Sequence, residues 1–206
     1  MDAALPEPGD SMADFVYAIG GGQLASDYRF VLWQGLRELL PWLDDEPLAG
    51  IVGVRLTHTG QATSLLSRRA KMILRLPARR SEAARRLEGM RLRAGADELA
   101  VGPMLIRPLR AAPTIMAGHV LLDGEGEREF ARALEGEIRE IGANCRPILG
   151  RRKVLRLGAV SAQCYPVAIH GCTPAQSMLL QARGIGAERR LGCGIFVPHK
   201  TIEAPQ

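Results

Sequence analysis

Aromatic residues are scarce: phenylalanine, tryptophan and tyrosine together make up 4% of the 206 residues. That argues against an open sheet that stacks bases on paired rings, and leaves the core to Leu, Ile, Val and Ala. Metal-ligand spacing is missing too. The four cysteines (Cys145, Cys164, Cys172, Cys193) form no Cys-x-x-Cys pair, and the four histidines (His58, His119, His170, His199) form no His-x-x-x-His pair. No structural metal, cofactor or disulfide is expected, and a reducing cytoplasm is the expected compartment. No uninterrupted apolar run approaches the ~18 residues of a membrane span. Residues 1–11 are acidic and proline-rich and lack the basic end of a signal peptide. They read as a disordered tail, with Met12 as an alternative start.

What is present is a chain able to bury a core, with 47% hydrophobic residues and a net charge of +5. The charge is segregated. Residues 1–50 hold nine acidic and two basic side chains, whereas residues 66–95 hold ten basic ones against Glu82 and Glu88. Such a patch suits a nucleic acid backbone or is simply a solvated face.

Periodicity orders the elements. Ala13–Ile19 reads as a strand, Asp27–Leu40 as a helix with Leu32, Leu36, Leu39 and Leu40 at helical spacing, and Ile51–Leu56 and Lys71–Leu76 as strands. In Lys71–Leu76 one face carries Lys71, Ile73 and Arg75, hence a partly basic face. Ser81 is placed as the cap of a short helix that Gly89 ends, and a fourth strand starts at Leu99. The order recurs from Thr114: a strand to Leu122, a helix over Glu127–Ile141, strands over Lys153–Leu157 and Val160–Ile169, a helix from Thr173-Pro174 to Arg183, and a last strand, Ile195–Val197. The expected fold is α+β: two tandem ferredoxin-like (RRM-like) β-α-β-β-α-β units, over residues 12–108 and 109–206.

Between the last helix and last strand lies Gly184-Ile185-Gly186-Ala187-Glu188-Arg189-Arg190-Leu191-Gly192-Cys193-Gly194. Glycine lets amides turn outward or approach a ligand, and arginine offers a planar fork of donors to phosphate. The stretch reads either as an anion-holding loop or as a helix stop and flexible turn.

This loop, after the last helix of a second ferredoxin-like unit, resembles that of the CRISPR-associated Cas-six endoribonucleases, closest to the MYXAN subtype. Leu65–Pro77, Ser177–Gln181 and Gly184–His199 carry the likeness. The resemblance implies antiviral defence by cutting the repeat RNA of a CRISPR transcript without metal. A ribose 2′-hydroxyl would attack the adjacent phosphate, leaving a 2′,3′-cyclic phosphate and a 5′-hydroxyl. The protein would stay on its crRNA stem-loop, beside other Cascade-like effector subunits.

Such chemistry needs a base, an acid and a charge stabiliser. Family members often place a histidine at the start of the first helix, where this chain has Ala25-Ser26-Asp27-Tyr28-Arg29. The catalytic candidates are therefore His58 as acid or base, Tyr28 to position the 2′-hydroxyl or donate a proton, and Arg29 to stabilise charge. For RNA grip the candidates are Arg189, Arg190, Gly186 and Gly192 in the loop, Arg68, Arg69 and Lys71, and the Arg151-Arg152 cluster. The departure at the helix start leaves a second reading open, a cleavage-deficient crRNA-binding subunit. A nucleotide-using enzyme is disfavoured, because these glycines lead into a strand rather than a helix.

Overall fold

The computed structural model describes residues 11–21, 23–25, 27–55, 63–66, 69–124 and 126–200. The chain divides after Pro108 into two units.

In the first unit a five-stranded antiparallel sheet has the order β3-β5-β1-β7-β6. Its strands are β1 (Met12–Gly20), β3 (Gly50–Arg55), β5 (Lys71–Pro77), β6 (Arg91–Ala94) and β7 (Asp97–Pro108), with helices α1 (Arg29–Leu39) and α2 (Ser81–Arg85). Strands β2 (Gln23–Ala25) and β4 (Thr63–Leu65) pair separately. The four main strands run second, third, first, fourth, which is the ferredoxin-like arrangement. Alternation sets the core face: Phe15 and Tyr17 lie opposite Leu74 and Met72, and all four are buried with Leu32, Trp33 and Leu36 of α1. Burying each such side chain contributes roughly 1.5–3 kcal/mol. Helix α1 comes close to the β6–β7 hairpin at Gly35, where a Cβ would collide with the Arg93 carbonyl. That hairpin adds an outer strand, β6, beyond the sequence expectation. Ser81 is the first residue of α2 rather than its cap, and the cap position, Arg80, makes no side-chain capping hydrogen bond to the helix.

The other face of β5 differs from the expected basic surface. Arg75 is fully buried, and its Nε and Nη2 donate to Asp14 Oδ1 and Oδ2 at 2.7 and 3.1 Å. The two residues are direct cross-strand partners. Acids answer much of the basic run: from outside it, Glu46 accepts from Arg79 and Arg80 and Glu98 from Arg91, and from within it Glu88 accepts from Arg85.

The second unit contains β8 (Thr114–Val120), α3 (Glu127–Glu140), β9 (Arg146–Leu149), β10 (Lys153–Leu157), β11 (Val160–His170), α4 (Pro174–Arg183) and β12 (Val197–Pro198). Its sheet is also antiparallel. Strand β11 pairs β8 and β9 with its second half and β10 with its first half. The second strand of this ferredoxin-like unit is therefore β9, not the Lys153–Leu157 segment, which instead forms a hairpin arm with the start of β11. The last strand is shorter than expected: Ile195 and Phe196 are buried, but only Val197 and Pro198 pair with β8. Phe130, Leu134 and Ile138 of α3 pack with Ile115, Tyr165, Val167 and Ile169 as one core. Helix α4 follows the sequence reading closely. Thr173 and Gln176 form a reciprocal capping box, and Gly184 ends the helix with φ 73°, a cap worth about 1 kcal/mol.

All four cysteines are buried free thiols. Burial pushes the Cys172 thiol up to about 12, aided by hydrogen bonding to and charge on neighbouring Cys145. Burial likewise raises Cys164, partly offset by Lys153. Neutral thiols of this kind are poor nucleophiles.

Candidate functional site

The first unit holds its candidates around the start of α1. Tyr28 is the cap residue, in helical backbone conformation. Its carbonyl accepts the Leu32 amide at 2.8 Å and its own amide donates to Ala25 at 3.2 Å. The ring is 7% exposed, and its oxygen accepts a hydrogen bond from the Val54 amide at 2.9 Å. Tyr28 thus ties the first turn of α1 to the end of β3. A phenol that accepts keeps its own O–H for donation, so the group retains a proton to give. The Arg29 guanidinium carbon lies 5.6 Å from the Tyr28 ring centroid, inside the range of cation–π attraction. The structure brings these two candidates together beside Gly53 and Val54. His58 and Arg68 lie outside the described residues. Arg69 is exposed in the turn before β5, and Lys71 opens that strand.

In the second unit the glycine-rich loop is a knot of backbone hydrogen bonds. Ile185 N donates to Gly194 O at 3.2 Å, Gly194 N to His119 O at 2.7 Å, and Ala187 N to Leu121 O at 3.0 Å. The loop is thereby stitched to the end of β8 and the residue following it. A Cβ at Gly184 would strike Arg189 Nη1, at Gly186 the Leu121 carbonyl, and at Gly194 the Ile185 carbonyl. The glycines serve close approach within the fold. Their amides are engaged as well: Gly186 N donates to Glu137 Oε2 at 2.9 Å and Gly192 N to Arg189 O at 2.8 Å. Gly186 and Gly192 therefore shape the loop, and the expected outward-turned amides are spent internally.

The two arginines separate. Arg189 is 9% exposed. Its Nη1 and Nη2 donate to Arg183 O and Ala182 O at 2.9 and 2.8 Å, satisfying carbonyls that the end of α4 leaves without helical partners. Its guanidinium is committed to the fold rather than to an outer ligand. Arg190 points the other way. Its side chain is 58% exposed and meets Glu188 Oε2 through Nε at 3.3 Å. A 3-10 turn over Arg189–Leu191 explains the split, because successive residues in it diverge by about 120°. Gly186, Ala187 and Arg190 form the exposed crest. Nothing in the letters Arg-Arg signals which residue turns inward; the space vacated by the missing Cβ of Gly184 does.

The hairpin arm carries the remaining candidates. Arg151 and Arg152 are exposed just before β10, and Arg152 Nη1 donates to Gln163 Oε1 at 3.2 Å. Exposed Lys153 and Arg156 continue the basic surface. Two further histidines meet Thr114. His170 Nδ1 sits 3.1 Å from Thr114 Oγ1, and His199, exposed after β12, donates its amide to Thr114 O. Among the described residues no cluster of three or more His, Cys, Asp or Glu could hold a metal ion, and no helix is long and apolar enough to cross a membrane.

Known proteins share this chain's sequence pattern or its fold. The CRISPR-associated endonuclease Cas6 of Myxococcus xanthus is 24% identical over 186 residues, covering 90% of this chain and 80% of the relative. A solved structure called CRISPR associated protein Cas6 superposes with a TM-score of 0.64 at 11% identity, covering 92% of this chain and all of that one. A solved RAMP protein, described as binding different RNA substrates, gives 0.63 at 10% identity over 91% of this chain and all of that one. The family model described as Cas6 Crispr matches residues 13–201, and the chain belongs to the Cas6 family.

Proposed function

We propose that the protein is an endoribonuclease that processes CRISPR repeat RNA and remains on the product. The match to the Cas6 family across residues 13–201 carries this reading. The reaction is an in-line attack of a 2′-hydroxyl on its own 3′-phosphate, releasing a 5′-hydroxyl and leaving a 2′,3′-cyclic phosphate. Side chains can supply every role without a metal: a base for the 2′ proton, an acid for the leaving oxygen and donors for the phosphorane. His58, with an ordinary pKa of about 6.5 for its residue type, suits acid–base work near neutrality. Tyr28 has a phenolic O–H to donate, and Arg29 beside it brings positive charge. Arg190 on the loop crest, Arg68, Arg69 and Lys71 in the first unit, and Arg151 and Arg152 on the arm bind RNA phosphates. Arg189, Gly186 and Gly192 hold the loop in shape. Such a protein works in the cytoplasm, on a crRNA stem-loop and beside other effector subunits.

Incubation with a repeat stem-loop RNA in EDTA tests this. Cleavage, with a product end that resists phosphatase until acid opens the cyclic phosphate, is expected. The buried and hydrogen-bonded state of Tyr28 favours one alternative, a subunit that binds crRNA without cutting it. RNA shifted in a gel yet uncut would establish that alternative.

A further inference from the structure

We infer that Glu188 is a positioning residue for Arg190, holding its guanidinium so that the terminal nitrogens present one orientation to an RNA phosphate. The inference rests on the RNA-binding reading above and deepens it.

The first observation is backbone strain. Glu188 has φ 55° and ψ 37°, and it is the one non-glycine residue with positive φ among the described residues. Left-handed backbone is disfavoured for an L side chain and free of strain for glycine. This loop uses glycine at positive φ at positions 184, 186, 192 and 194, so the Glu at 188 stands out. Strain retained at a loop crest points to a task for the side chain.

The backbone of Glu188 does not explain the choice. Its carbonyl accepts from Leu191 N at 3.0 Å and Cys193 N at 3.2 Å, and a glycine carbonyl would accept both. The carboxylate is the part that only this residue brings. It meets Arg190 Nε at 3.3 Å, with the two side chains 31% and 58% exposed. The other carboxylate at the loop, Glu137, already holds the Gly186 amide and does a separate job.

Arginine carries five donors in a rigid plane. Engaging it at Nε fixes that plane and leaves the Nη edge for a bidentate contact with phosphate. The pair also cancels one positive charge at the crest. Long-range attraction for any polyanion falls, while short-range contact with a well-placed phosphate gains orientation. Glu188 thus favours a shaped RNA over an unstructured one.

The test compares wild type with Glu188→Gln, Glu188→Ala, Glu188→Gly, Arg190→Ala and the Glu188→Ala/Arg190→Ala double variant. Binding of a repeat stem-loop RNA and of poly(U) is measured at several salt concentrations, with Tm for each protein. Glutamine keeps an oxygen that accepts from Nε, so its stem-loop affinity stays within about twofold of wild type. Alanine weakens stem-loop binding about two- to fivefold, the size of an exposed charge pair, and tightens poly(U) binding. In the Arg190→Ala background the alanine effect on the stem-loop vanishes. Glycine raises Tm while lowering stem-loop affinity, a divergence that a purely structural residue would not give. Unchanged or tighter stem-loop binding by Glu188→Ala, or a loss that persists without Arg190, overturns the inference. The Arg190 Nε–H resonance separates this from failure of the RNA reading: it is protected from exchange in wild type and exposed in Glu188→Ala. A wild type that binds no RNA but keeps that protection sinks the functional reading, whereas an unprotected wild-type Nε–H sinks the positioning claim by itself.

Discussion

Arg189→Ala is expected to destabilise the second unit and to change RNA contacts only through the fold. Arg189 donates two charge-assisted hydrogen bonds to the last carbonyls of α4, at 2.9 and 2.8 Å. Hydrogen bonds to a charged group are worth about 1.5–3 kcal/mol each. Removing both, and leaving a gap around a side chain that is buried, costs about 3–5 kcal/mol, since truncated partners partly recover water. For a unit of about 100 residues each kcal/mol moves Tm by roughly 4–8 °C, so the transition falls by at least ~12 °C. Lysine restores only part of this, because one ammonium cannot reproduce the planar fork. Thermal unfolding followed by circular dichroism gives the shift, with Arg190→Ala as control. That variant leaves Tm within about 2 °C, since exposed ion pairs contribute little. It lowers RNA affinity instead, and flattens the slope of log affinity against log salt by about 0.7–0.9 for the lost phosphate contact. An Arg189→Ala protein with wild-type Tm and weakened RNA binding would refute the argument, because the guanidinium would then be serving the RNA.

Three further outcomes follow from particular groups. Tyr28→Phe leaves the Val54 amide without its acceptor and lowers stability by about 1–3 kcal/mol; if Tyr28 also donates the proton, cleavage at a temperature where the variant is folded drops by about 10²–10⁴. His58→Ala lowers cleavage by a similar ~10²–10⁴ with RNA binding retained, and unchanged cleavage moves the acid–base role to Tyr28. Burial pushes the Cys172 thiol up to about 12 in the folded protein, from about 9.0 for a free thiol. The unfolded chain therefore loses that proton first, and the contribution to stability is intact below pH 9 and lost as pH rises from there to about 12. A plot of Tm against pH shows this alkaline fall, and Cys172→Ala makes it shallower; parallel curves for the two proteins would remove the thiol as its cause.

Where sequence and structure agree, the signal is local. Helix α4 is bounded by Thr173-Pro174 and Gly184, whose capping chemistry acts within one turn. The succession of the four main strands of the first unit is legible because each carries a short run of apolar residues next to a break. The parts that escaped depend on distant partners. Strand β9 is four residues long and contains Pro147, so it is too short to stand out, while Lys153–Leu157 is the more apparent strand, with Val154, Leu155 and Leu157, but pairs only with its hairpin neighbour. The basic run at 66–95 looked like one patch. Its partners Asp14 and Glu46 stand 61 and 33 residues from Arg75 and Arg79, and no local pattern announces them. Arg189 and Arg190 are the sharpest case: identical neighbours, given opposite fates by one short turn and by the room left at Gly184.

The packing of the glycine-rich loop bears on how it can change over generations. At Gly184, Gly186 and Gly194 even a methyl group meets carbonyl or guanidinium atoms, so those positions tolerate almost no variation. Ala187 and Arg190 project outward from the same frame and can be exchanged without disturbing it. The loop thus separates what must be inherited unchanged from what can drift, and a lineage facing a new RNA can retune the crest one residue at a time while the scaffold beneath stays fixed.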